Sequence, residues 1–162
     1  MKVIEAVELL GILKDLKLSG METADRMKVI KNLRALRGVV DKYNADMELA
    51  KESLKPDGFD NLILKMLESN EAVAAGGSRT VSDLELASFN RMNELYNRDL
   101  MSVQIGTYNK DEGCFEGGMN EEPADVKIET ITEASFDKLV EANKEVIAGA
   151  FAVLYDKMVS DK

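Results

Sequence analysis

From residue 29 to residue 54 the apolar positions are Val29, Leu33, Leu36, Val40, Tyr43, Met47, Ala50 and Leu54, spaced 4-3-4-3-4-3-4 without a break. A seam of that period belongs to a helix that packs along another helix. The pattern predicts one helix over about residues 21–54, roughly 50 Å long at 1.5 Å per residue. Ser19 and Glu22 stand at capping-box spacing before it. Gly38 lies inside it, a residue that weakens a helix by about 1 kcal/mol relative to Ala. Pro56 and Gly58 in the segment KPDG end it.

Shorter helical patterns flank this one. Val7, Leu10, Leu13 and Leu16 place one apolar face on residues 4–17, and Leu62, Met66 and Val73 place another on 59–75. A full start signal follows in VSDLEL at 81–86. Ser82 is the N-cap, Glu85 closes the capping box and Val81 can staple against Leu86. That helix carries Phe89, Met92, Tyr96 and Leu100 inward to about residue 100. The last helical region opens after Ile131-Thr132, with Ile131 against Phe136, and runs to about Val159 with a break expected near Asn143.

Between these helices the period changes to two. Val103, Ile105 and Thr107 alternate in SVQIGTY, and Val126, Ile128 and Thr130 alternate in DVKIETI. These read as the two strands of an antiparallel hairpin, about 102–108 and 125–131. The connecting segment 109–124 is rich in Gly and acid and is expected to be a mobile loop. The fold class expected is therefore mainly α: a helical bundle in a single domain over 1–162, with one long heptad-patterned helix and a single β-hairpin.

Composition narrows the chemistry. The chain has 162 residues, a net charge of −9, one cysteine, nine methionines and no histidine. Without histidine, Ser-His and Cys-His nucleophile pairs and His-ligated zinc or iron are excluded. A single cysteine, Cys114, removes thiolate zinc sites, iron–sulfur clusters and any internal disulfide. Carboxylate, Lys or Tyr chemistry survives. Yet pairs such as Glu94 with Asp99, or Glu141 with Glu145, need an enclosing pocket for acid–base work, the i,i+4 spacing of Glu141 and Glu145 occurs on most solvated helices, and no nucleophile, base and electrophile can be assembled. Glu5, Glu8 and Asp15 interrupt the apolar N-terminal run, which argues against a signal peptide, and no apolar run reaches the length of a membrane span. No enzymatic activity, cofactor or metal is expected.

Two charged stretches remain. RMKVIKNLRALRGVVDKY (26–43) sets Arg26, Lys28, Lys31, Arg34, Arg37 and Lys42 against one acid, Asp41. A basic helix can meet phosphates, but aromatic residues for base stacking are missing before Tyr43 and the chain as a whole is acidic. Nucleic acid is not the expected partner, and the stretch reads as a packing helix with solvated flanks. The acidic loop offers Asp111, Glu112, Glu116, Glu121 and Glu122. It fails the calcium-loop pattern, which needs Gly where Cys114 stands and Glu where Asn120 stands. Gly76-Gly77 and Gly117-Gly118 match no phosphate-binding motif and read as stops and turns. Met27, Met47, Met66, Met92 and Met101 fall at inward-looking helical positions, where they fill core gaps as readily as they would form an adaptable binding face.

The order of LLGILKDLKL, VIKNLRALRGVVDKY, a strand pair and ITEASFDKL resembles small uncharacterised helical proteins encoded by tailed bacteriophages and prophages. The 109–123 segment is longer than that pattern leads one to expect. The resemblance implies synthesis in the bacterial cytoplasm, with possible association with a virion, and a role in the phage programme. It carries over no catalytic residue. The expected function is thus a non-enzymatic structural or assembly protein acting through helix–helix protein–protein contacts. It would be a homo-oligomer or part of a larger assembly, with no membrane contact. The candidate interaction seam is Val29, Leu33, Leu36, Val40, Tyr43, Met47 and Leu54. The alternative is an acidic inhibitor or decoy for a basic, nucleic-acid-binding host protein, using the loop acids as its contact. A carboxylate–metal enzyme is the third reading.

Overall fold

Six α-helices and one two-stranded antiparallel sheet make up the described residues, 1–159, of the computed structural model. In chain order they are α1 (Val3–Leu13), α2 (Thr23–Leu54), α3 (Phe59–Ala74), α4 (Asp83–Ile105), β1 (Gly106–Asn109), β2 (Cys114–Gly117), a 3-10 helix (Met119–Glu121), α5 (Glu133–Ala142) and α6 (Ala148–Met158). The mainly α class and the long helix follow the heptad pattern, and α2 runs unbroken through Gly38. It starts at Thr23, so Ser19 lies too far ahead to cap it, whereas the carbonyl of Glu22, just before the helix, accepts from Arg26 N at 2.9 Å. None of the described helices is long and apolar enough to cross a membrane.

The chain divides into two compact units. One comprises Met1–Ala45 and the chain from Met119 onward; the other is Asp46–Gly118. The first unit holds the main core. Leu9 and Leu13 of α1, Val29 and Leu36 of α2, Leu139 of α5 and Leu154 and Met158 of α6 are all buried in it. Burial on this scale removes apolar surface from water at roughly 25 cal/mol per Å², the dominant favourable term in folding.

In α1 the buried positions are Val3, Ala6, Leu9 and Leu13, while Val7, Leu10 and Leu16, expected on the inner face, are only half-buried. The helix is apolar on most sides, so periodicity alone does not choose its inner face. Tertiary anchors do. Val3 N donates to Glu122 O at 2.9 Å, Ala124 N donates to Met1 O at 2.8 Å, and Lys157 of α6 donates to Glu5 at 2.6 Å. That last bond is the main reason the Glu5 carboxyl sits below its usual range.

The face that α2 buries is also rotated from the apolar seam. Its fully buried residues are Asp25, Val29, Asn32 and Leu36, two of them polar. Leu33 and Tyr43 are half-buried against this core, as is Val39, which the seam did not include. Tyr43 donates its hydroxyl to Asn120 Oδ1 at 2.9 Å.

The polar pair explains why 125–131 is not a strand of the hairpin. Asn32 donates Nδ2–H to Glu129 O and accepts from Glu129 N, both at 2.8 Å, satisfying that peptide as a neighbouring strand would. Ile131 N donates to Met158 O at 2.7 Å. The segment is extended and its alternation is real, with Val126 and Ile128 half-buried and Ile131 buried, but its partners are a side chain and the end of α6.

Thr132 then caps α5, accepting from Ser135 N, while both its N–H and its hydroxyl donate to Asp25, at 3.0 and 2.7 Å. Ile131 and Phe136 are both buried beside it. The helix stops at Ala142. Asn143 brackets the Lys17 peptide as Asn32 brackets Glu129, accepting from Lys17 N and donating to Lys17 O at 2.8 Å each.

Candidate interaction surface

The Asp46–Gly118 unit contains the end of α2, the α3–α4 pair and the hairpin. Its centre is aromatic. Phe59 is buried, stacked on Phe89 at 5.8 Å and edge-on to Tyr96 at 5.5 Å, and Tyr96 donates its hydroxyl to Lys51 O at 2.9 Å. The turn into α4 is fixed by Ser82 and Glu85, which close the capping box, and by buried Val81. Lys65 of α3 bonds Glu85 at 2.6 Å, and with the Ser82 bonds this lowers the Glu85 carboxyl to about 2. Ser69 accepts from Thr80 N at 3.0 Å.

The hairpin is present but displaced from the expected strands. Residues 102–105 are the last turn of α4, which Gly106 ends, and the strands pair Gly106 with Gly117 through Asn109 with Cys114. Gly106 has φ +87°, and a Cβ there would meet Glu116 O at 1.9 Å. No other residue fits at the crossing. The acidic segment 109–124 is therefore not one loop. Asp111 and Glu112 lie in the turn and Glu116 on β2. Glu121 and Glu122 belong to the other unit, where Glu121 pairs with Lys2 and the Glu122 carbonyl holds the start of α1. Glu112, Cys114 and Glu116 bring three potential ligand atoms within 4.8 Å of one another, but all three are exposed and Asn109 already bonds Glu116.

What distinguishes this unit is its surface. Among the described residues, nine of thirteen exposed large hydrophobic side chains lie in it, whereas only Phe59 and Val81 of the fifteen buried hydrophobic residues do. Leu64 and Leu67 of α3 and Leu84 of α4 are 57, 54 and 78 % exposed. Val73 and Met101, expected inside, are exposed as well. In the other unit so is Met27. Scattered apolar exposure is ordinary on folded proteins, but the described residues of this unit expose more large apolar side chains than they bury.

The surface includes a cleft of about 390 Å³ between the C-terminal turns of α4 and the hairpin. Met101, Ile105, Tyr108 and Phe115 line it, with Glu94 and Arg98 at the polar side. The Tyr108 and Phe115 rings lie 5.2 Å apart across the strands. The cleft lies within the size range of small-molecule sites, but it is open and apolar, with no convergent set of polar groups.

Of the candidate seam, Val29 and Leu36 are enclosed in the chain's own core, Leu33, Val40 and Tyr43 are half-buried, and Met47 and Leu54 are half-buried residues of the Asp46–Gly118 unit. The exposed residues of α3 were absent from the expected site. Their signal was the run LILKML, whose apolar residues go round more than one face of a surface helix. Comparison with family models, with curated proteins and with solved structures gives no match to this chain.

Proposed function

We propose that this is a non-enzymatic assembly protein that works through protein–protein contacts made by the Asp46–Gly118 unit. The carrying observation is the imbalance in that unit between two buried and nine exposed large hydrophobic residues. Such a unit gains by association what it lacks in core, because each exposed Leu or Phe covered by a partner contributes on the order of 1.5–3 kcal/mol before the costs of binding. The resemblance to phage and prophage helical proteins supports placing this activity in a phage programme, in the bacterial cytoplasm or on a virion.

A photoreactive amino acid placed at Leu64, Leu84 or Phe115 of the full chain in cells should give discrete protein adducts on illumination. The same group at exposed Lys14 or Lys144 should not. Equal or absent adducts at all five positions would overturn the reading.

The alternative, an acidic decoy for a basic host protein, draws support from charge. The unit carries fourteen acidic and seven basic side chains, so it holds most of the net −9. Adducts confined to one basic host protein, with an affinity that falls steeply between low and physiological salt, would favour that alternative.

A further inference from the structure

The outward ridge of α2 and the cleft beside α4 are complementary in chemistry and in spacing. On the side of α2 opposite Val29 and Leu36, the positions 27, 30, 34 and 37 repeat 3-4-3 and form one stripe. Met27 and Ile30 are 49 and 44 % exposed there. Arg34 and Arg37 continue the stripe, and no carboxylate pairs with either among the described residues, whereas Lys28 and Lys31 are engaged by Asp25 and Glu129. The neighbouring Arg26 donates to the hydroxyl of Thr23 at 3.3 Å. The stripe is thus an apolar pair followed by two guanidinium groups with no carboxylate partner among the described residues.

The cleft offers the converse. Met101, Tyr108 and Phe115 are 54, 51 and 47 % exposed, and two turns back along α4 the carboxylate of Glu94 has no ion-pair partner among the described residues. Glu94 and Met101 are seven residues apart, and so are Ile30 and Arg37. Seven residues are two turns, about 10.5 Å, on one helix face. An antiparallel helix pair therefore sets Ile30 on Met101 and Arg37 against Glu94 at once, and brings Met27 level with Gln104 in the last turn of α4, next to the hairpin.

We infer that the occupant of the cleft is the α2 ridge of a second copy of this chain, so that copies associate head to tail. This rests on the protein-contact reading above and names its partner. Charge decides between the pairings available. Two Asp46–Gly118 units face to face would bring together two surfaces that each carry seven excess negative charges, and two ridges would oppose arginine to arginine. The ridge-to-cleft pairing instead sets the Arg37 guanidinium against the Glu94 carboxylate, while the cleft's own Arg98 is held by Asp99 at 3.0 Å. Such an interface is heterologous, leaving each end of a dimer with one unused face, so growth continues into chains or a closed ring.

Light scattering of the purified full chain at low salt over a hundredfold concentration range tests this. The mass should rise with concentration, and 0.5 M salt should weaken association by about tenfold or more. A ridge variant, Ile30→Glu with Arg37→Glu, and a cleft variant, Glu94→Lys with Met101→Lys, should each remain monomeric. Mixed together they should form a 1:1 dimer and nothing larger, because the mixture has one intact ridge and one intact cleft. All four sites are exposed helix positions, so circular dichroism should be unchanged, and Arg37→Ala alone provides a milder variant expected to weaken association severalfold. A wild-type monomer at every concentration, variants that associate normally, or a mixture that stays monomeric would each overturn the inference. Adducts from Phe115 to a foreign protein, with the pure chain monomeric, would overturn it and leave the protein-contact reading standing. Loss of adducts altogether would remove both.

Discussion

Asn32 and Asn143 do the same physical job at two places. Each is buried at 1 % exposure and supplies both a donor and an acceptor to a single backbone residue, Glu129 and Lys17 respectively. Replacing either by Ala strands a buried N–H and a buried C=O, each costing on the order of 1–3 kcal/mol. Asn32→Ala and Asn143→Ala should each lower stability by about 3 kcal/mol in urea unfolding. A loss below about 1 kcal/mol would mean water replaces the side chain without strain. Asp25 adds a pH dependence. Burial pushes its carboxyl up, but the Lys28 and Thr132 hydrogen bonds outweigh this and hold it well below the usual 3.8. A depressed folded pKa stabilises fully above the unfolded value and loses that contribution as pH falls through the folded one. Stability should thus drop progressively below about pH 4. In Asp25→Ala, already weaker by roughly 3 kcal/mol at neutral pH, that part of the slope should be absent from acid titrations followed by circular dichroism. These residues were illegible in the sequence because a polar residue on a helix reads as solvated, and nothing local marks it as a partner for a peptide about a hundred residues away.

Helix existence was legible, and which face turns inward was legible only in part. The capping box at Ser82 and the break at Asn143 are local chemistry, and the structure has both. The α2 seam combined residues that the fold separates, since an apolar stripe on a 32-residue helix records every partner along its length. Leu36, fully buried, and Val40, half-buried, distinguish the two descriptions. Leu36→Ala should cost about 3 kcal/mol and Val40→Ala under about 1, whereas a uniform seam predicts similar losses. The hairpin is there, but its strand positions were misplaced for a different reason. Alternation identifies extended chain but says nothing of its partner, and Gly106 was the missing clue to where β1 begins. Gly106→Ala should abolish the Tyr108–Phe115 ring contact seen by NMR while leaving the α5 and α6 signals in place, because the added Cβ collides with the Glu116 carbonyl. Persistence of that contact would show that the strands separate without losing register.

At the scale of the whole molecule, the two units differ in what holds them. The thirteen-member buried cluster lies entirely in the unit formed by Met1–Ala45 and the chain after Met119. The Asp46–Gly118 unit relies on Phe59 with its two aromatic neighbours, Val81, the Ser82 cap and exposed ion pairs, which contribute little individually. Local opening should therefore cost less in α3 and α4 than in α5, α6 or the first half of α2, because less apolar surface is exposed when they open. Amide hydrogen exchange at low protein concentration should show protection in α3 and α4 at least about tenfold below that of the core helices. Raising the concentration should slow exchange in α4 and β2 and along the outward side of Thr23–Ala45, while α5 and α6 stay unchanged, since ligation of a folded state by a second copy stabilises the part that binds. Uniform protection in dilute solution would mean that the aromatic centre is worth as much as the larger core. A concentration effect confined to α3 would move the contact to Leu64 and Leu67 and away from the cleft.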